Sequence, residues 1–203
     1  MCQAAGPAVD ALSDDYDHLP VVFIEYSYFD PPLDRQSRMY AAHGGGTIYF
    51  PPIIVDAGNQ FTMGFHSNFA LVYGDMVDAA LARPALGSVR VTRQRVGDTF
   101  EFSVEVVNDT GTTLSTSNSA RVHALVFEDD PAGVSRVTSR YLRGDDSVAI
   151  ATLADGDSDS FNLVVDLTGV SVNWNALHSV VLVDYRPGGF SGPWDMVQAA
   201  FQP

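Results

Sequence analysis

The hydrophobic pattern changes its rhythm near residue 88. Before that point, apolar positions recur at helical or short-strand spacing; after it they alternate with polar ones almost one for one. Residues 3–17 place Ala5, Val9, Leu12 and Tyr16 three to four apart, which predicts a helix bent near its start by Pro7. Asp14, Asp15 and Asp17 end that pattern. Val21-Val22-Phe23-Ile24-Glu25-Tyr26 is a short, nearly continuous apolar run, the signature of a strand buried on both faces. Leu33 to Ala42 is a short helix candidate, stopped by Gly44-Gly45-Gly46. Pro51-Pro52 then opens the β-branched run Ile53-Ile54-Val55. Asp56-Ala57-Gly58 supplies a hairpin turn, and Phe61–Phe65 the return strand. Ser67 is a candidate N-cap for a helix through Leu81, with Val72, Met76, Val77, Ala80 and Leu81 on one face. Pro84 and Gly87 mark a linker.

Beyond Ser88, Phe100, Phe102, Val104 and Val106 face one way while Glu101, Ser103 and Glu105 face the other. Asn108-Asp109-Thr110-Gly111 is a turn. Val89–Arg93, Val122–Phe127, Ser139–Leu142, Ser147–Leu153, Phe161–Leu167, Ser179–Tyr185 and Met196–Phe201 are further strand candidates. Short strands with frequent turn signals predict an antiparallel sandwich, with Trp174 at its edge or end. The expected organisation is therefore residues 1–83 as one domain, 84–87 as linker and 88–203 as an all-β sandwich.

The net charge of −14, with arginine as its only permanent cation, disfavours binding to phosphate backbones, so no nucleic-acid partner is expected. The aspartates gather in turn-like stretches and read as solubility. No apolar run approaches the ~20 residues of a membrane-spanning helix. Met1 leads straight into a helix pattern, so the sequence displays no signal peptide. A single cysteine leaves the redox compartment open.

Cys2, followed five residues later by Pro7 on a helical pattern, resembles the second half of a thioredoxin active site. In that family a Trp-Cys-x-x-Cys turn caps a helix, and a proline five residues past the second cysteine kinks it. Cys2 with Pro7, the Pro51-Pro52 pair opening a strand, and the helix from Ser67 make residues 1–83 look like a thioredoxin-like α/β domain lacking its first core strand. The resemblance implies a resolving role for Cys2 and a substrate-binding cis-proline, best matched by Pro51, with Pro52 as the alternative. It also implies protein thiols or disulfides as partners. The attacking cysteine is absent, so turnover by this chain is not expected. Residues 88–203 look like an immunoglobulin-like sandwich. The combined order resembles bacterial outer-membrane or secreted thioredoxin-like proteins, which implies an envelope or secreted location.

Two functions are expected. One is a protein related to thiol–disulfide oxidoreductases but without the attacking cysteine. The alternative is a non-enzymatic interaction protein that uses both domains for binding. The missing strand further predicts an open sheet edge and self-association.

Other motifs carry less. Glu25 is either a buried acid or an exposed strand end. Asp155-Gly156-Asp157-Ser158-Asp159-Ser160 follows a calcium-loop rhythm but lacks the glycine and glutamate such a loop needs, and reads as a solvated turn. His18, His43, His66, His123 and His178 have no metal-ligand spacing, and no metal or cofactor is implied. Asn108-Asp109-Thr110 fits a glycosylation acceptor or a bare turn. No serine sits in a nucleophile-elbow context.

Overall fold

The computed structural model describes residues 2–26, 47–130, 140–189 and 192–202, the side chains of Cys2 and Gln3 aside. The helix candidate at 33–42 lies outside the described residues.

Seven long antiparallel strands form a β-sandwich. Strands β3 (Gly87–Val96), β4 (Thr99–Asn108) and β9 (Ser158–Asp166) make one sheet, with β4 at its centre. Strands β11 (Asp195–Gln202), β10 (Leu177–Tyr185), β6 (Arg121–Asp129) and β7 (Arg140–Ala149) make the other, in that order. The short pair β5 (Leu114–Ser115) and β8 (Thr152–Leu153) closes one end. This three-against-four arrangement is immunoglobulin-like; the strand after β6 stays beside it instead of crossing to the opposite sheet.

Alternation decides which side chains meet between the sheets. Phe102, Val104 and Val106 of β4 face Val122, Val126, Val181 and Val183 across the core, all at most 2% exposed. The sheets also approach at their margins. Leu86 N–H donates to the Val197 carbonyl at 3.1 Å, and a Cβ on Gly144 would lie 2.9 Å from both Leu167 and Val165. Only glycine lets β7 pass that close to the opposite sheet. The candidate strands at 139–142 and 147–153 are thus largely one strand, β7, continued through Arg143-Gly144-Asp145-Asp146 with an irregularity opposite Val126/Phe127.

The N-terminal elements are α1 (Cys2–Asp15), the hairpin β1 (Pro52–Val55) and β2 (Gln60–Met63), and α2 (Phe69–Leu81). Ala5, Val9 and Leu12 of α1 pack on Phe69 and Tyr73 of α2. The cap of α2 is Asn68, not Ser67: its side chain accepts from Leu71 N–H, and Leu81 is exposed. Tyr16 Oη donates to Asp78 Oδ1 at 2.5 Å, tying the two helices together.

The expected α/β thioredoxin-like fold is overturned. The described residues are mostly strand, in antiparallel sheets, with two α-helices. Val21–Tyr26 is not the core strand of an α/β sheet. It lies between two layers: Phe23 packs on the helical cluster, while Val22, Ile24 and Tyr26 pack on the outer face of the four-stranded sheet. Its apolar residues do meet protein on both sides, but one of those sides is the sandwich. Glu25 bridges Tyr141 in parallel, at the outer edge of β7. The expected self-association through a gap in a thioredoxin sheet loses its premise with that sheet. The one cysteine cannot form a disulfide within the chain, and no attacking partner for it exists in this sequence.

Candidate functional site

The hairpin enters through Phe50-Pro51, whose peptide bond is cis, and Pro52 opens β1 opposite Met63. Gly64, just past β2, holds a positive φ of 81° and donates its N–H to the carbonyls of Tyr49 and Pro51, each at 3.1 Å. Tyr49 N–H meets the Met63 sulfur at 3.4 Å. Asp56, Ala57 and Gly58 all take positive φ, which turns the chain between β1 and β2. These bonds anchor both ends of a corner whose two aromatic rings project outward: Tyr49 is 58% exposed and Phe65 68%. Phe65 meets the buried Phe69 edge-on at 5.8 Å. His66 lies edge-on to Phe69 and Tyr73 and shares a 2.9 Å hydrogen bond with Thr62. The arrangement can bind: rings on a hydrogen-bonded hairpin lose little conformational freedom when covered.

Arg83, past the end of α2, locks this corner to the sandwich. It contacts Asp56 of the hairpin turn at 3.0 Å and Asp195 of β11 at 2.5 Å. Burial lowers its pKa, but the hydrogen bond and charge of Asp195, helped by Asp56, outweigh that and raise it overall.

The predicted site residues do not converge into a described dithiol site. Cys2 opens α1, and its side chain lies outside the described residues. Pro51 and Pro52 sit at the hairpin entrance. Glu25 is half-buried and joins β7 through its backbone: its N–H donates to the Arg140 carbonyl, and its carbonyl accepts from Leu142 N–H, both at 2.9 Å.

Asn108 is fully buried, which overturns the glycosylation reading. Its amide donates to the carbonyls of Thr112 and Leu153, and its oxygen accepts from Thr110, so it organises the turn from within. Asp155 accepts from Gly111 N–H, and Asp159 from Ser160 N–H, consistent with a turn. Among the described residues, no three His, Cys, Asp or Glu side chains gather as metal ligands.

Sequence reasoning missed two buried ion pairs. His123 Nε2 lies 3.1 Å from Asp184 Oδ1 on the outer face of the four-stranded sheet, both at most 2% exposed by side chain. Glu128 and Arg143 pair at 3.1 Å at one end of the sandwich, where Glu128 also accepts from Asn173 N–H at 2.6 Å. The only signal was parity: Asp184 shares a strand face with Val180 and Leu182 inside an apolar run. Trp174 closes the same end of the sandwich, stacked under Arg95 at 3.6 Å and beside Phe100 at 5.8 Å. Arg93 reaches between the sheets to Ser179 at 3.1 Å, and burial lowers its pKa.

No protein-family model matches the chain, and no curated protein does. Among solved structures, it is similar to a transglutaminase of red sea bream at 15% identity and a TM-score of 0.36, covering 68% of this chain and 19% of that one. A β-glucosidase of Kluyveromyces marxianus aligns at 19% identity and a TM-score of 0.33, over 58% of this chain and 13% of that one. A penta-heme cytochrome c552 of Thermochromatium tepidum aligns at 12% identity and a TM-score of 0.31, over 62% and 41%. The chain thus spans less than half the length of each of these three proteins. No described helix is long and apolar enough to cross a membrane.

Proposed function

We propose that the chain is a non-enzymatic interaction protein in which the sandwich is the scaffold and the hairpin corner contacts a protein partner. One observation carries this reading: Tyr49 and Phe65 expose their rings on a corner fixed by backbone hydrogen bonds and the Arg83 lock. Exposed aromatics on a rigid support are the usual anchors of protein–protein contacts. The buried Phe69 and Tyr73 rings behind Phe65 supply the rigidity.

Site-specific photo-cross-linking in the native host tests this. A benzophenone side chain at position 65 is expected to trap a discrete adduct that Tyr49→Ser weakens on the order of tenfold. The same probe at Val164, an exposed position on the sandwich, is the control and should trap none. Equal labelling at both positions, or no adduct at 65, would sink the reading.

A further inference from the structure

Tyr49 carries one of the two exposed rings of the corner, and a single dipeptide holds its backbone there. Its N–H donates to the Met63 sulfur at 3.4 Å, and its carbonyl accepts from Gly64 N–H at 3.1 Å. Among the described residues these are the hydrogen bonds that Tyr49 makes. A Cβ on Gly64 would lie 3.4 Å from that of Tyr49, so the two stretches are already in contact. The prolines explain why a side chain is recruited. Pro51 and Pro52 have no N–H, so neither can donate to the end of β2, where Pro52 stands opposite Met63. The thioether takes its donor from further upstream instead.

Half of this grip on Tyr49 is thus a thioether, which is a weak acceptor and the one group in the contact that a peroxide attacks. Met63 is half-buried, and its bond to Tyr49 lies at the surface. Met76 is only 9% exposed within α2, and Met196 packs on the apolar outer face of the four-stranded sheet. Met1 and Met39 lie outside the described residues. Of the three described thioethers, the one that holds an exposed ring is also placed where an oxidant in water meets it.

From this we infer that Met63 is a modification site for hydrogen peroxide, and that its sulfoxide releases the Tyr49 side of the corner. A lone pair of the sulfur takes up one peroxide oxygen, and the O–O bond breaks. The departing hydroxide leaves with the proton of the transferred hydroxyl as water, so the sulfur is oxidised and the peroxide reduced. The acceptor then sits one bond beyond the sulfur, on a polar oxygen that water solvates, out of line with the Tyr49 N–H. Gly64 N–H keeps the Pro51 carbonyl at 3.1 Å, so the hairpin entrance stays closed while Tyr49 loosens. The consequence for binding rests on the reading of the corner as a contact surface: a loosened ring loses the rigidity that makes it an anchor.

The test uses the full chain and hydrogen peroxide itself. Peptide mapping by mass spectrometry should find Met63 oxidised on the order of tenfold faster than Met76. In the oxidised chain the Tyr49 amide should exchange with water on the order of tenfold faster, read by NMR, with the amides of β4 unchanged. Methionine sulfoxide reductase should restore the original rate. Met63→Leu keeps the volume without the sulfur, and should show the faster Tyr49 exchange before any peroxide and no change after it. Oxidation of Met76 as fast as Met63, a change that reaches β4, or an equally protected Tyr49 amide in the sulfoxide or in Met63→Leu overturns the proposal. These readouts need no partner. The benzophenone adduct at position 65 should in turn fall on the order of tenfold on oxidation and return on reduction. An adduct indifferent to oxidation would overturn the regulation, whereas its absence before oxidation would count against the contact surface alone.

Discussion

The sandwich and the N-terminal elements bury their apolar residues by different means. Between its sheets the sandwich assembles 19 buried residues, drawn in sequence order from Phe100 to Val197 and mostly below 5% exposed. Such a core is complete without outside help. The helical cluster has five buried residues, and leans on the half-buried Phe23 and Ile53 to finish it. Phe23 belongs to the very segment whose other side rests on the sandwich. One region is held by pairings distant in sequence and closed upon itself; the other is a thin cover whose stability depends on what lies beneath it. Long-range order thus resides in the part with the simplest sequence pattern, and the part richest in motif-like residues is the dependent one.

The sharpest way to break this contrast is a pair of equal truncations. Leu163→Ala empties a site 1% exposed in the sandwich core and is expected to cost about 3 kcal/mol of global stability, read from the urea midpoint. Leu12→Ala, at 7% exposure in the thinner cluster, should cost about half of that or less. It should accelerate exchange in α1 while leaving the amides of β4 unchanged. If Leu12→Ala weakens β4 as much as Leu163→Ala does, the two regions form one cooperative unit and the comparison fails.

A smaller effect is expected at the lock between them. Arg83→Ala deletes contacts to both Asp56 and Asp195 across the boundary, a loss of about 1 kcal/mol, because the guanidinium is still a quarter exposed. Arg83→Lys should recover only part of this, since an ammonium lacks the planar fork that reaches two carboxylates at once. The difference between wild type and Arg83→Ala should shrink in 1 M salt. An unchanged difference would mean that the arginine stem, not its charge, makes the contact.

How far the sequence revealed this architecture depended on the range over which each feature is decided. The alternation of Phe100-Glu101-Phe102-Ser103-Val104 is decided locally, and β4 forms where it was expected with the phenylalanines inward. The turn at Asp56-Ala57-Gly58 is equally local. Val21–Tyr26 advertises that it needs apolar neighbours on both sides, but nothing in six residues says that one neighbour is the far face of a sandwich. The thioredoxin resemblance failed at this point: Cys2, Pro7 and the prolines of the hairpin are features a helix and a strand entrance can carry in any fold. Gly144 and its two aspartates look like a break between strands until the opposite sheet supplies Leu167 and Val165 as the reason for a glycine. The pairing of His123 with Asp184 is invisible for the same reason, because only strand register brings β6 and β10 together. Phe65 was expected to end the return strand, but β2 stops at Met63 and Phe65 lies beyond it, 68% exposed.

The smallest expected effects separate the two regions by pH, since each carries a titrating contact that the other lacks. In the sandwich, Asp166 ends β9 and accepts from Thr168 N–H at 2.8 Å. Hydrogen bonding to the Thr168 side chain and then to its backbone holds the carboxyl below its ordinary 3.8, against a slight opposing effect of burial. A depressed folded-state pKa gives stability that is present above pH 3.8 and lost as pH falls through the lower folded value. Among the helices the sign reverses. The hydrogen bond to Asp78, followed by burial and the neighbouring negative charges, raises Tyr16 above 10.0. Its contribution is present below pH 10.0 and lost as pH rises through the folded value. Asp166→Asn should therefore differ from wild type near neutrality and converge with it toward acid, reported by the exchange of β9. Tyr16→Phe should converge with wild type only toward alkali, reported by α1. Both groups lie at the surface, so the shifts will be small, but their opposite directions are the useful quantity. Should acid weaken the helices through Asp166 as strongly as it weakens β9, the cover and the sandwich would have to be opening together.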